Sequence, residues 1–78
     1  MNAALIKGLT AAEREARIVG FNQGWDHANY ADTFQEEISE EPTGGRIPER
    51  FKVAGVEHYF TSGWAEGVDD FRNTQYEG

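Results

Sequence analysis

Apolar side chains recur along the first half of the chain at spacings of mostly three and four. They fall at Ala11, Ile18, Phe21, Trp25, Ala28, Ala31, Phe34 and Ile38. That period is the signature of an amphipathic α-helix, because residues three and four apart share one helix face. Thr10-Ala11-Ala12-Glu13 supplies a start signal of the capping-box type, in which the threonine hydroxyl and the glutamate carboxylate satisfy amides of the first turn. The pattern therefore predicts a helix from residue 10 to about residue 38. A break near Asn29-Tyr30 into two shorter helices is the alternative. In the second half Val53, Val56, Phe60, Trp64, Val68 and Phe71 continue the same period. Pro48 suits a first helical turn, where its missing N–H costs nothing, and Glu49 suits the positive end of the helix dipole. A second helix from residue 48 to about Arg72 follows. The competing reading at 50–60 is a short β-hairpin around Ala54-Gly55, which would make the fold α+β. Ala-Gly is not a favoured hairpin turn, so helix is preferred.

Glu40-Glu41-Pro42-Thr43-Gly44-Gly45 interrupts the pattern, so residues 41–47 read as a loop and residues 73–78 as a flexible tail. Neither half is long enough to fold alone, and 1–78 reads as one small domain.

Superimposed on the periodicity is a repeat. Gly20-Phe21-Asn22-Gln23-Gly24-Trp25-Asp26 and Gly63-Trp64-Ala65-Glu66-Gly67-Val68-Asp69 both read glycine, aromatic, two variable residues, glycine, large apolar, aspartate. Glycines four apart lie on one helix face and let another backbone approach closely, although each costs about 1 kcal/mol against alanine in a helix. The expected fold is mainly α: a small helical hairpin of two principal helices packed through Gly-x3-Gly notches. Its expected core is Phe21, Trp25, Phe34, Phe60, Trp64, Val68 and Phe71. Such a core is thin, and a second copy would cover surface that one helix pair leaves exposed, so a homodimer is an expectation.

Composition narrows the function. The chain has no cysteine, which excludes disulfides and thiolate metal sites and suits a reducing compartment. Met1 to Leu9 lack the basic and long apolar regions of a signal peptide, and no stretch has the length of a membrane span. A cytoplasmic location is the expectation. The formal charge is −7, and residues 36–78 hold ten of the fourteen acids against four bases. Direct nucleic-acid binding needs a basic surface and is disfavoured, whereas a basic partner or simply solubility accounts for the acidity.

Candidate chemistry is sparse. His27 and His58 are the only histidines, each beside an acid, and neither belongs to a metal-ligand spacing. A site joining His27 to Asp69 or Asp70 would need the fold to assemble it. Ser39 and Ser62 lie outside nucleophile contexts, and Thr43-Gly44-Gly45-Arg46 is too short for a phosphate loop. A chain of this size is also expected to lack a ligand pocket of about 300 Å3 or more. The expectation is a protein that is not an enzyme and holds neither cofactor nor metal. Glu36, Glu37, Glu40 and Glu41 form i,i+4 like-charge pairs at the unfavourable end of the first helix. Helix stability does not account for them. A partner-binding surface does, and so does a fraying acidic loop; in the first reading Asp69 and Asp70 are next in rank, with Glu57 and Glu66 extending the field.

Gly20-x3-Gly24 together with Tyr59-Phe60-x2-Gly63-Trp64-x2-Gly67 resembles the ribosome modulation factor family and its short phage-borne relatives, over about half the chain. That resemblance implies a two-helix scaffold and, as one functional reading, a ribosome-associated interaction module. Members acting on ribosomes are basic, and this chain is acidic. In size, acidity and lack of catalytic groups the chain also resembles small phage-encoded inhibitors of the anti-CRISPR and anti-restriction type. This likeness implies the favoured reading: a non-catalytic inhibitor, cytoplasmic in the host. Its acidic surface would occupy a basic nucleic-acid-binding site on a host defence complex.

Overall fold

The structure is a computed structural model that describes residues 10–53 and 55–77. The expectations for Met1 to Leu9, and for Gly78 at the end of the tail, fall outside the described residues. Helix α1 spans Ala11–Thr33 and helix α2 spans Glu57–Glu77. Short 3-10 turns at Gly44–Arg46 and Glu49–Phe51 lie between them. Among the described residues there is no strand, so the hairpin reading at 50–60 is not what forms. The fold is mainly α, two principal helices packed against each other through the glycine notches.

The capping box is present at the start of α1: the Glu13 amide donates to Thr10 Oγ1 at 3.1 Å and the Thr10 amide donates to Glu13 Oε1 at 3.0 Å. The helix stops at Thr33, earlier than residue 38. Gln35 adopts a left-handed φ of 58°. Its amide bonds back to the Asp32 carbonyl at 3.2 Å, and the Glu36 amide bonds to the Ala31 carbonyl at 2.7 Å. This is a Schellman termination with glutamine where glycine is usual. Glu36 and Glu37 consequently lie beyond the helix, and Phe34, expected in the core, is 59% exposed.

The second helix also begins later than the pattern implies. Pro48 opens only the 3-10 turn, after which Gly55 with φ of 86° turns the chain into α2. Val53, which continued the helical spacing, is 54% exposed, and the residue buried in this segment is Phe51. At its far end α2 runs on to Glu77 rather than stopping near Arg72.

The packing face of α1 consists of Ala16, Gly20, Gly24, Ala28 and Ala31, all buried and all small. Against it α2 sets Phe60, Gly63, Trp64, Gly67, Val68 and Phe71. A Cβ added to Gly20 would collide with the Phe60 carbonyl, and one on Gly24 with that of Trp64. Conversely, a Cβ on Gly63 would collide with the Arg17 carbonyl and one on Gly67 with that of Phe21. Each glycine thus meets the residue three positions before its counterpart in the other copy of the repeat. The two copies pack as near-equivalent partners, at the backbone separation where Cα–H···O contacts form. Ascending numbers meet ascending numbers, so α1 and α2 run in the same sense, and residues 34–56 carry the chain back along the pair.

This return segment completes the core. Ile47 and Phe51 are buried with Phe60, Trp64, Val68 and Phe71, and Ile38 and Val56 pack against that cluster. Burial of one such large apolar side chain contributes about 1.5–3 kcal/mol, so the return is held mainly by these anchors. Phe21 and Trp25 are partly buried at the edge, with Trp25 edge-on to Phe71 at 5.2 Å. Exposed ion pairs join every pair of segments: Arg17 to Glu66 between the helices at 2.6 Å, Arg50 to Glu15 at 2.6 Å, and Arg72 to Glu40.

Candidate functional site

Gln23, Asp26, His27 and Tyr30 occupy positions i, i+3, i+4 and i+7 of α1 and therefore share one helix face. Opposite them the return supplies Glu36 and Arg46. Together these six residues line an open groove of about 590 Å3. A groove of that size corrects the expectation that so small a chain has no room for a ligand. The parallel arrangement provides it, because the return must leave the end of α1 and double back beside it.

His27 joins the groove to the core. Its Nε2 accepts the Ser39 amide at 2.9 Å, which puts the ring proton on Nδ1. The ring lies 5.1 Å from that of Trp64, with 30° between their planes. Trp64 Nε1 in turn donates to the Ser39 carbonyl at 3.1 Å, so both backbone groups of Ser39 are held by side chains. Burial, and secondarily the Arg46 charge, lower the His27 pKa, while Glu36 opposes them. His27 is therefore a neutral structural acceptor with its Nε2 already engaged. Arg46 extends over the Trp64 ring at 5.7 Å from its centroid. Tyr30 of the lining has the Phe34 ring beside it, centroids 4.7 Å apart and planes tilted by 46°, and the two are 55% and 59% exposed.

The six acids singled out from the sequence do not form one patch. Glu36 lines the groove. Glu37 and Glu41 are exposed on the return, and Glu40 is paired with Arg72. Asp69 lies one turn before Arg72, bordering the return. Asp70 is rotated by about 100° from it, on the side where Glu66 meets Arg17. The like-charge i,i+4 argument also lapses, because Glu36, Glu37, Glu40 and Glu41 are not helical. Among the described residues no three His, Cys, Asp or Glu side chains converge as metal ligands, and His27 is not joined to Asp69 or Asp70 in such a group. His58 is exposed beside Tyr59. The groove residues Gln23, Asp26, Tyr30 and Arg46 were not singled out from the sequence. The one available signal was the 23/26/27/30 spacing, a polar face interrupted by a tyrosine.

Among the described residues no helix is long and apolar enough to cross a membrane. No protein-family model matches the chain, and no characterised protein or solved structure matches it.

Proposed function

We propose that this protein is a non-catalytic binding module whose exposed carboxylates occupy a basic, nucleic-acid-binding site on a partner protein. That is the mode of the small phage-encoded inhibitors it resembles in size and charge, and the target class is a host defence complex. The observation that carries the reading is the state of the return segment. Glu36, Glu37 and Glu41 project from non-helical backbone, and among the described residues none has an ion-pair partner. Carboxylates held this way keep their charge available to a basic surface, steering encounter and adding affinity where they are desolvated. The non-catalytic part of the reading is supported by His27, whose Nε2 is taken up by the Ser39 amide, and by the place of His58, exposed on α2 and outside the groove lining.

The test is capture from host lysate on immobilised protein, followed by competition with duplex DNA and RNA. The expected result is a nucleic-acid-binding complex that nucleic acid displaces. Glu36→Lys, Glu37→Lys and Glu41→Lys combined should weaken capture by at least about tenfold with no loss of melting temperature. Glu40 is left intact because its pairing with Arg72 holds the return. Undiminished capture by the triple variant overturns the reading. Capture of ribosomal components in place of a defence complex transfers the scaffold to the ribosome-associated reading.

A further inference from the structure

We infer that the groove beside Tyr30 and Phe34 is a receptor for an arginine side chain on a basic segment of the partner protein. The inference rests on the proposed binding of a basic partner and names the contact that anchors it. Three observations converge. First, the groove is large enough for a side chain and its flanking backbone, at about 590 Å3, and is open to solvent. Secondly, its charged lining is Asp26 and Glu36 against Arg46, in a molecule of formal charge −7, so the field favours a cation over an anion. Thirdly, Tyr30 of the lining and its neighbour Phe34, with ring planes tilted by 46°, are exposed, and the cation–ring contacts among the described residues are made to other rings. The chain's own arginines already use the same recognition twice, Arg46 over Trp64 at 5.7 Å and Arg50 over Phe51 at 4.3 Å. Tyr30 and Phe34 are exposed aromatic surface, among the described residues, open to one from outside.

Arginine suits this surface better than lysine. A planar guanidinium lies flat on an aromatic face while its N–H groups reach carboxylates, and it is more weakly hydrated than an ammonium. Asp26 sits one turn before Tyr30 on the same helix face, and Glu36 follows Phe34 across the end of α1, so acceptors flank the ring pair on both sides. Aromatic residues with a neighbouring charge are also the usual energetic anchors of protein interfaces.

The test is titration of isotope-labelled protein with a blocked peptide of alternating arginine and glycine, read by amide chemical shifts. Parallel titrations use peptides carrying lysine, or citrulline, the uncharged analogue of arginine. Shifts should centre on residues 23–36, be weaker for lysine and vanish for citrulline. Tyr30→Ala with Phe34→Ala should weaken the arginine peptide by about tenfold, whereas Glu37→Gln with Glu41→Gln should change it by less than about twofold. Tyr30→Leu with Phe34→Leu, which keeps apolar area but removes the π faces, should behave like the alanine pair and controls for folding. Equal binding of citrulline, no shift with any peptide, or wild-type binding by both aromatic variants overturns the inference. The lysate assay separates the two readings. If the aromatic variants capture the complex fully while the charge-reversed variant does not, this inference fails and the acidic-surface reading stands. If a variant with Glu37→Lys and Glu41→Lys, which leaves the groove lining intact, captures it fully while the aromatic variants do not, the arginine receptor stands and the acidic-surface reading fails.

Discussion

At Gly24 and Gly67 the missing side chain is the structural element. A Cβ at Gly24 would lie 2.8 Å from the Trp64 carbonyl carbon, and one at Gly67 would lie 2.8 Å from the Trp25 amide nitrogen. Both obstacles are backbone, which cannot rotate aside. An open helical glycine gains about 1 kcal/mol on replacement by alanine, but overpacking costs about 1–3 kcal/mol or more. Gly24→Ala and Gly67→Ala are therefore expected to destabilise in urea unfolding, and the leucine variants to unfold the pair. Gly45→Ala, with nothing within 4 Å of its Cβ, should change stability by less than about 0.5 kcal/mol. Wild-type stability for Gly24→Ala and Gly67→Ala would defeat the notch account. These glycines were legible in the sequence because a repeated, costly residue needs a structural reason. Phe34 was not, since its fate depends on Gln35 taking a left-handed conformation that the sequence does not signal with glycine.

The helices were legible from their period, and the return segment between them was not. Its apolar residues are used singly, as plugs, so periodicity has nothing to register. Val53 kept the helical spacing yet is exposed, while Ile47 and Phe51 are buried from short 3-10 context. The groove was hidden for the same reason, since part of its lining comes from the return. Docking of this segment on the helices runs through His27, Ser39 and Trp64, which makes it sensitive to acid. His27 accepts the Ser39 amide only when neutral, and its folded pKa lies below the ordinary value. The unfolded chain, with histidine near about 6.5, then binds more protons as pH falls. The stabilisation is fully present above that value and declines as pH drops toward the folded pKa. Melting temperature in a His58→Gln background should fall between about pH 7.5 and about pH 5. Adding His27→Gln should flatten the slope, and an unchanged slope would remove His27 from the account.

On the scale of the whole molecule, a net charge of −7 is confined to a radius of gyration of 13.9 Å. Self-repulsion acts over distances longer than the screening length of about 8–10 Å at physiological salt. The ion pairs lie well inside that length and are worth little individually. Screening therefore removes more repulsion than attraction. Melting temperature is expected to rise between about 0.01 M and about 0.15 M sodium chloride, and a fall would show that the exposed pairs dominate.

The shared direction of α1 and α2 has an electrical consequence. Peptide dipoles cancel in an antiparallel pair, but here they add, each helix contributing about half a charge of either sign at its ends. Glu13 and Glu57 sit in the first turns and neutralise the positive pole, whereas neither last turn carries a basic residue to balance the negative one. The imbalance gathers at the pole where α1 ends, close to Tyr30, Phe34 and Glu36. A positively charged surface would exert a torque on such a molecule while still at a distance. It would turn that pole forward, so that orientation is partly settled before the first contact is made.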